Sequence, residues 1–118
     1  MRRVATAAGD EGYQAALSLL LAGEPDLQHV GSATDVTSLL ALITAHDVDV
    51  VAVDLRLPGG GLAELNAALT NARRHCGLVA LALLDTPSAR AAASRAGATF
   101  AEKADAAGLL AALREVPG

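Results

Sequence analysis

The run Asp49-Val50-Val51-Ala52-Val53-Asp54-Leu55-Arg56-Leu57-Pro58-Gly59 constrains the fold of this chain more than any other segment. Residues 50–53 are consecutively apolar and mostly β-branched, which reads as a strand buried on both faces, and Pro58 with Gly59, Gly60 and Gly61 ends it in a loop. A strand covered on both sides belongs to a parallel sheet flanked by helices. Asp54 then stands at its carboxyl end. In an open α/β sheet the ligand crevice lies outside those ends, so a carboxylate there reaches a ligand without being sunk in the core. The competing use of such an Asp is structural, as the cap of a strand or turn.

The rest of the chain repeats the pattern. Short apolar runs at residues 4–7, 27–31, 50–53, 78–82 and 99–101 alternate with longer stretches of helical period, as in a parallel sheet joined by crossover helices. The helices are expected over residues 11–21, with Ala15, Leu17, Leu20 and Leu21 on one face, and over 36–45, with Leu39, Leu40 and Ile43 on one face. Asp10 caps the first of these and Thr34 or Asp35 the second. Residues 61–74, 87–96 and 105–115 complete the set, with Gly97 ending the fourth helix. The tail Val116-Pro117-Gly118 reads as the start of a linker, because Pro and Gly end the last helix.

Length and composition narrow the function. A chain of 118 residues holds one core, so residues 1–118 are expected to form a single domain. With 53% hydrophobic but only 2% aromatic residues, that core must be built from Ala, Val and Leu. Tyr13 and Phe100 cannot make a stacking platform for single-stranded nucleic acid, and a net charge of −4 offers no basic face for phosphates. Direct nucleic-acid binding is therefore not expected. Cys76 is the single cysteine, which excludes an intrachain disulfide and suits a reducing cytoplasm. Arg2 and Arg3 precede a short strand and then Asp10 and Glu11, not a signal-peptide core, and no apolar run approaches the length of a bilayer. A soluble, cytoplasmic protein without membrane contact is the expectation.

The text around Asp54 resembles the phosphoacceptor strand of bacterial response-regulator receiver domains, where an apolar run ends in Asp and is followed within a few residues by Pro-Gly. The resemblance spans the chain: Arg2-Arg3-Val4-Ala5-Thr6-Ala7 is similar to their first strand, Gly23 to Gly31 to the approach to their second, and Arg95-Ala96-Gly97-Ala98 with Lys103 to the approach to their fifth. It implies a doubly wound, five-stranded parallel α/β sheet of order 2-1-3-4-5 with five helices, the flavodoxin-like or CheY-like fold, with right-handed crossovers. Leu55-Arg56-Leu57-Pro58-Gly59, and Ala104 in place of a proline after the lysine, lean to receivers of the NarL/FixJ type.

The same resemblance assigns Asp54 as phosphoacceptor and Lys103 as the lysine that pairs with it and then with the phosphoryl group. Receivers also carry two acidic residues after the first strand, which with the acceptor hold a magnesium ion. Here Ala8 and Gly9 fall in those places. That leaves Asp54, the backbone carbonyl near Arg56, and Asp10 or Glu11 as a displaced ligand, so magnesium binding is expected to be weak or absent and no other cofactor is implied. Asp10 has the better claim as a helix cap. At the family's switch hydroxyl stands Ala82, with Thr86 farther along in the loop before Pro87. Phe100 is similar to the switch aromatic, but the stretch from Gly97 to Lys103 is one residue short, which reverses the face of a strand side chain unless a turn absorbs it.

Other chemistries lack their residues. Gly9-Asp10-Glu11-Gly12 is neither a dinucleotide fingerprint nor a nucleotidase loop, His29, His46 and His75 have no zinc spacing, and no Gly-x-Ser-x-Gly elbow exists. The expectation is an atypical receiver, a signalling and interaction module and not an enzyme, acting on an attached or partner output domain without ordinary magnesium-dependent phosphorylation. Its alternatives are a working Asp54 phosphoacceptor served by a histidine kinase or small phosphodonor, and a sensor of a small ligand in the emptied pocket. Self-association, if any, is expected on the face of the fourth helix, fifth strand and fifth helix, where Leu109, Leu110 and Leu113 exceed the needs of a helix with a solvated outer face, although packing on the sheet accounts for most of them.

Overall fold

A computed structural model describes residues 1–58 and 61–117. Gly59 and Gly60 of the loop, and Gly118 of the tail, lie outside the described residues. The elements run β1 (Arg2–Ala7), α1 (Glu11–Ala22), β2 (Leu27–Ala33), α2 (Val36–Ala45), β3 (Val50–Asp54), α3 (Gly61–Asn71), β4 (Gly77–Ala82), α4 (Pro87–Arg95), β5 (Thr99–Glu102) and α5 (Ala106–Glu115). The five strands form one parallel sheet in the order β2-β1-β3-β4-β5, as expected.

Alternation along the strands divides the core into two layers. Val51 and Val53 of β3 join Ala5, Ala7, Leu39, Ile43, Leu65, Leu69 and Ala93 on the side of α2, α3 and α4. Val50 and Ala52 join Val4, Leu17, Leu21, Leu109 and Leu113 on the side of α1 and α5. Every residue of β3 is buried, which is why its text is continuously apolar.

Caps and helix ends follow local chemistry. The carboxylates of Asp10, Asp35 and Asp105 accept from the backbone N–H of Gly12, Ser38 and Gly108, and the Thr86 hydroxyl accepts from that of Ala89. The third helix stops at Asn71, short of the expected 74, because Arg73 adopts a left-handed φ of 55° and the N–H of Arg74 turns back to the Leu69 carbonyl. Gly97, at φ 69°, closes α4 in the same way.

Three expectations about faces are corrected. Ala15 is exposed, so α1 packs only through Leu17, Leu21 and the half-buried Leu20. Leu109, Leu110 and Leu113 are all buried in the α1/α5 layer and leave no leucine on the outer face of α5. Val116, read as the start of a linker, is buried in that same layer.

Candidate functional site

The site forms where the carboxyl ends of β1, β3 and β5 meet the first turn of α1. Asp54 follows Val53 in the alternation, so its side chain shares the α1/α5 side with Val50 and Ala52. On β5, Ala101 faces the same side, and Lys103 lies two residues beyond it. Phe100, one residue off this phase, packs on the α4 side. The lysine is fixed at its base by its own N–H, which donates to the Ala82 carbonyl at 2.9 Å. Asp54 and Lys103 are thereby brought face to face across the end of β4.

The Lys103 ammonium donates to Oδ2 of Asp54. Oδ1 accepts from the backbone N–H of Arg56 at 2.9 Å, an Asx turn that also bends the chain out of β3. The pair is largely withdrawn from water, the side chains being 7% exposed for Asp54 and 15% for Lys103. Both carboxylate oxygens therefore already have donors within the protein.

Around this pair lies an open cleft of about 590 Å3 lined by Gly9, Asp10, Tyr13, Asp54, Arg56, Leu83, Lys103 and Ala104. Tyr13, which the sequence marks only as an aromatic too isolated to stack bases, has its ring beside Lys103, with Nζ 4.8 Å from the centroid. Its hydroxyl is buried without a hydrogen-bond partner. Burial, and secondarily the charge of Asp54, push the phenol up to about 12. Next to Tyr13 on α1, the Gln14 amide donates to the carbonyls of Ala8 and Ala33 at 2.5 and 2.7 Å, tying α1 to the ends of β1 and β2.

Asp10 lines the cleft, but its carboxylate is engaged by the N–H of Gly12 at 3.0 Å. Glu11 is exposed and does not line the cleft. Thr86 serves as the α4 cap and lies outside the cleft. Gly97 turns the chain into β5 at φ 69°, and half-buried Phe100 lies under the Arg90 guanidinium, 5.0 Å from its ring centroid.

Magnesium demands several oxygen ligands with enough negative charge to offset its dehydration. Asp54 supplies one carboxylate, already doubly bonded, Asp10 is tied to its helix, and Ala8 and Gly9 supply no side-chain oxygen. Among the described residues no group of three His, Cys, Asp or Glu side chains converges. The donor set does not fit a resident magnesium ion. No helix among the described residues is long and apolar enough to cross a membrane.

No protein-family profile matches the chain, and neither does any curated protein. Solved structures do. The signal receiver domain of NarL from Mycobacterium tuberculosis is 24% identical over 97% of both chains, with a TM-score of 0.84. A DNA-binding response regulator of the LuxR family from Staphylococcus aureus is 14% identical over 98% of both chains, with a TM-score of 0.85. The response regulator ChrA of a heme-sensing two-component system is 29% identical over 95% of this chain and 54% of its own, with a TM-score of 0.76. The chain shares with these proteins the CheY-like receiver fold.

Proposed function

We propose that this chain is an atypical receiver domain, a signalling and protein-interaction module, not an enzyme, that acts without magnesium-dependent phosphorylation. One observation carries the reading: both oxygens of Asp54 are occupied, by the Lys103 ammonium and the Arg56 N–H, while the acidic pair that would hold a metal beside it is Ala8 and Gly9. Phosphoryl transfer to a carboxylate needs positive charge on the phosphoryl oxygens. Here the one ammonium at the site is engaged by the acceptor itself. The missing hydroxyl at Ala82 removes the second contact through which a phosphoryl group would be sensed.

The output is then set by which surface meets an attached or partner domain. The buried α5 leucines remove the apolar argument for pairing through α4, β5 and α5. Leu83 and Leu84, 61% and 67% exposed in the loop after β4, are the large apolar side chains at the cleft mouth and its flank that such a partner would cover. A cytoplasmic setting and control of an output domain, as in two-component regulators, accord with this reading.

A second reading is favoured by the position of Asp10 on the cleft wall. If its carboxylate left Gly12, Asp10 could serve as a displaced metal ligand and Asp54 could accept a phosphoryl group from a histidine kinase or small phosphodonor. Incubation with magnesium and a small phosphodonor, read by intact mass, separates the two. The first reading expects no added phosphoryl group. A single addition that disappears in Asp54→Asn overturns it.

A further inference from the structure

Lys103 is the sole lysine of the chain and Tyr13 its sole tyrosine, and the two meet in the cleft. The ammonium has the Asp54 carboxylate as one neighbour and the face of the Tyr13 ring as another, at 4.8 Å from the centroid. An aromatic face is the negative part of the ring quadrupole and attracts a cation. A lysine at the rim of an open cleft ordinarily extends its flexible stem and carries its charge into water. This one does not: its side chain is only 15% exposed.

The ring is delivered by local structure. Asp10 caps α1, which places Tyr13 in the first turn of the helix, beside Asp54 at the end of β3 and Lys103 just beyond β5. Its hydroxyl finds no hydrogen-bond partner. The contact therefore depends on the face of the ring and not on the phenol oxygen.

We propose that Tyr13 is a positioning residue whose ring face holds the Lys103 ammonium on Oδ2 of Asp54 and keeps that ion pair closed to solvent. The role stands whether or not Asp54 accepts a phosphoryl group, because it concerns the resting pair.

The test compares the full chain with Tyr13→Phe and Tyr13→Leu. Proton NMR reads the ε-methylene of the sole lysine, and a neutral amine-acylating ester reads its accessibility, with peptide mass separating Lys103 from the amino terminus. In the wild type and in Tyr13→Phe, ring current moves the ε-methylene upfield of an ordinary lysine, and acylation is slow. In Tyr13→Leu the upfield displacement is lost and acylation is about two- to fivefold faster, the factor that a cation–π contact at a partly exposed site represents. An ε-methylene at its ordinary position in the wild type, or a Tyr13→Phe protein that behaves like Tyr13→Leu, overturns the proposal. Should Tyr13→Leu fail to fold, the wild-type position together with Tyr13→Met makes the same comparison.

Discussion

The guanidinium of Arg90 lies over the ring of Phe100, 5.0 Å from its centroid, and at the same time grips both oxygens of Asp85 at 2.5 and 2.7 Å. One side chain of α4 thus joins the strand that leads to Lys103 to the loop that carries Leu83 and Leu84. The contact is solvent-exposed, so its effect on global stability is small, but it restrains the loop. In Arg90→Ala we expect faster amide exchange confined to residues 83–86 with an unchanged unfolding midpoint. A shifted midpoint with unchanged exchange would show that the ion pair supports the core instead.

Adding negative charge to the cleft should raise its affinity for magnesium. A Cβ at Gly9 would meet only Pro58 Cδ, at an ordinary 3.9 Å, so the position accepts a side chain, and it lines the cleft. Gly9→Asp supplies a second carboxylate beside Asp54. Its magnesium affinity by titration calorimetry should be about tenfold or more above that of the wild type. Equal affinities would mean that the cleft is shaped against the ion by something other than missing charge.

Tyr13 offers a spectroscopic handle on the same site, since it is the sole tyrosine. Its ionisation, followed by ultraviolet absorbance, should have a midpoint of about 12, and Asp54→Asn should lower it by removing the neighbouring negative charge. The native phenol stays neutral where the unfolded one ionises. The unfolded state therefore holds fewer protons than the native state from the ordinary tyrosine value of 10.0 up to about 12, and stability falls as pH rises through that window. A midpoint near that of free tyrosine, unmoved by Asp54→Asn, would contradict the placement of the ring.

Arg73 ends α3 in the left-handed region, at φ 55°, where glycine is the favoured residue. Arg73→Gly should stabilise the protein by about 0.5–1 kcal/mol in denaturant unfolding. Destabilisation would imply that the arginine side chain contributes a contact larger than the backbone strain it carries.

Much of this architecture is legible in the sequence because its strands are short, apolar and spaced by helical stretches. Asp54 and Lys103 were legible through their setting, one at the end of a buried strand and the other after a Gly-Ala turn in text similar to receivers. The rest was hidden for physical reasons. Whether Leu109, Leu110 and Leu113 face in or out depends on how deeply α5 sits on the sheet, and a helix buried over a wide arc has the same text as one with an apolar outer patch. Ala15 carries too little apolar surface to fix a helix face. Tyr13 gave no signal of its role, since an aromatic in a first helical turn acquires meaning only when the fold sets a lysine some 90 residues away beneath its ring. Only its distance from the Asp10 cap could have pointed to the strand ends.

If Lys103 balances the charge of Asp54 in the resting protein, in place of a metal and its acidic pair, a double-mutant cycle in denaturant unfolding at neutral pH must show coupling between the two. Lys103→Ala strands a largely buried carboxylate and should cost about 3 kcal/mol, while Lys103→Ala with Asp54→Asn should recover part of that loss, giving a coupling energy of about 1 kcal/mol or more. Additive effects of the two substitutions would contradict the account.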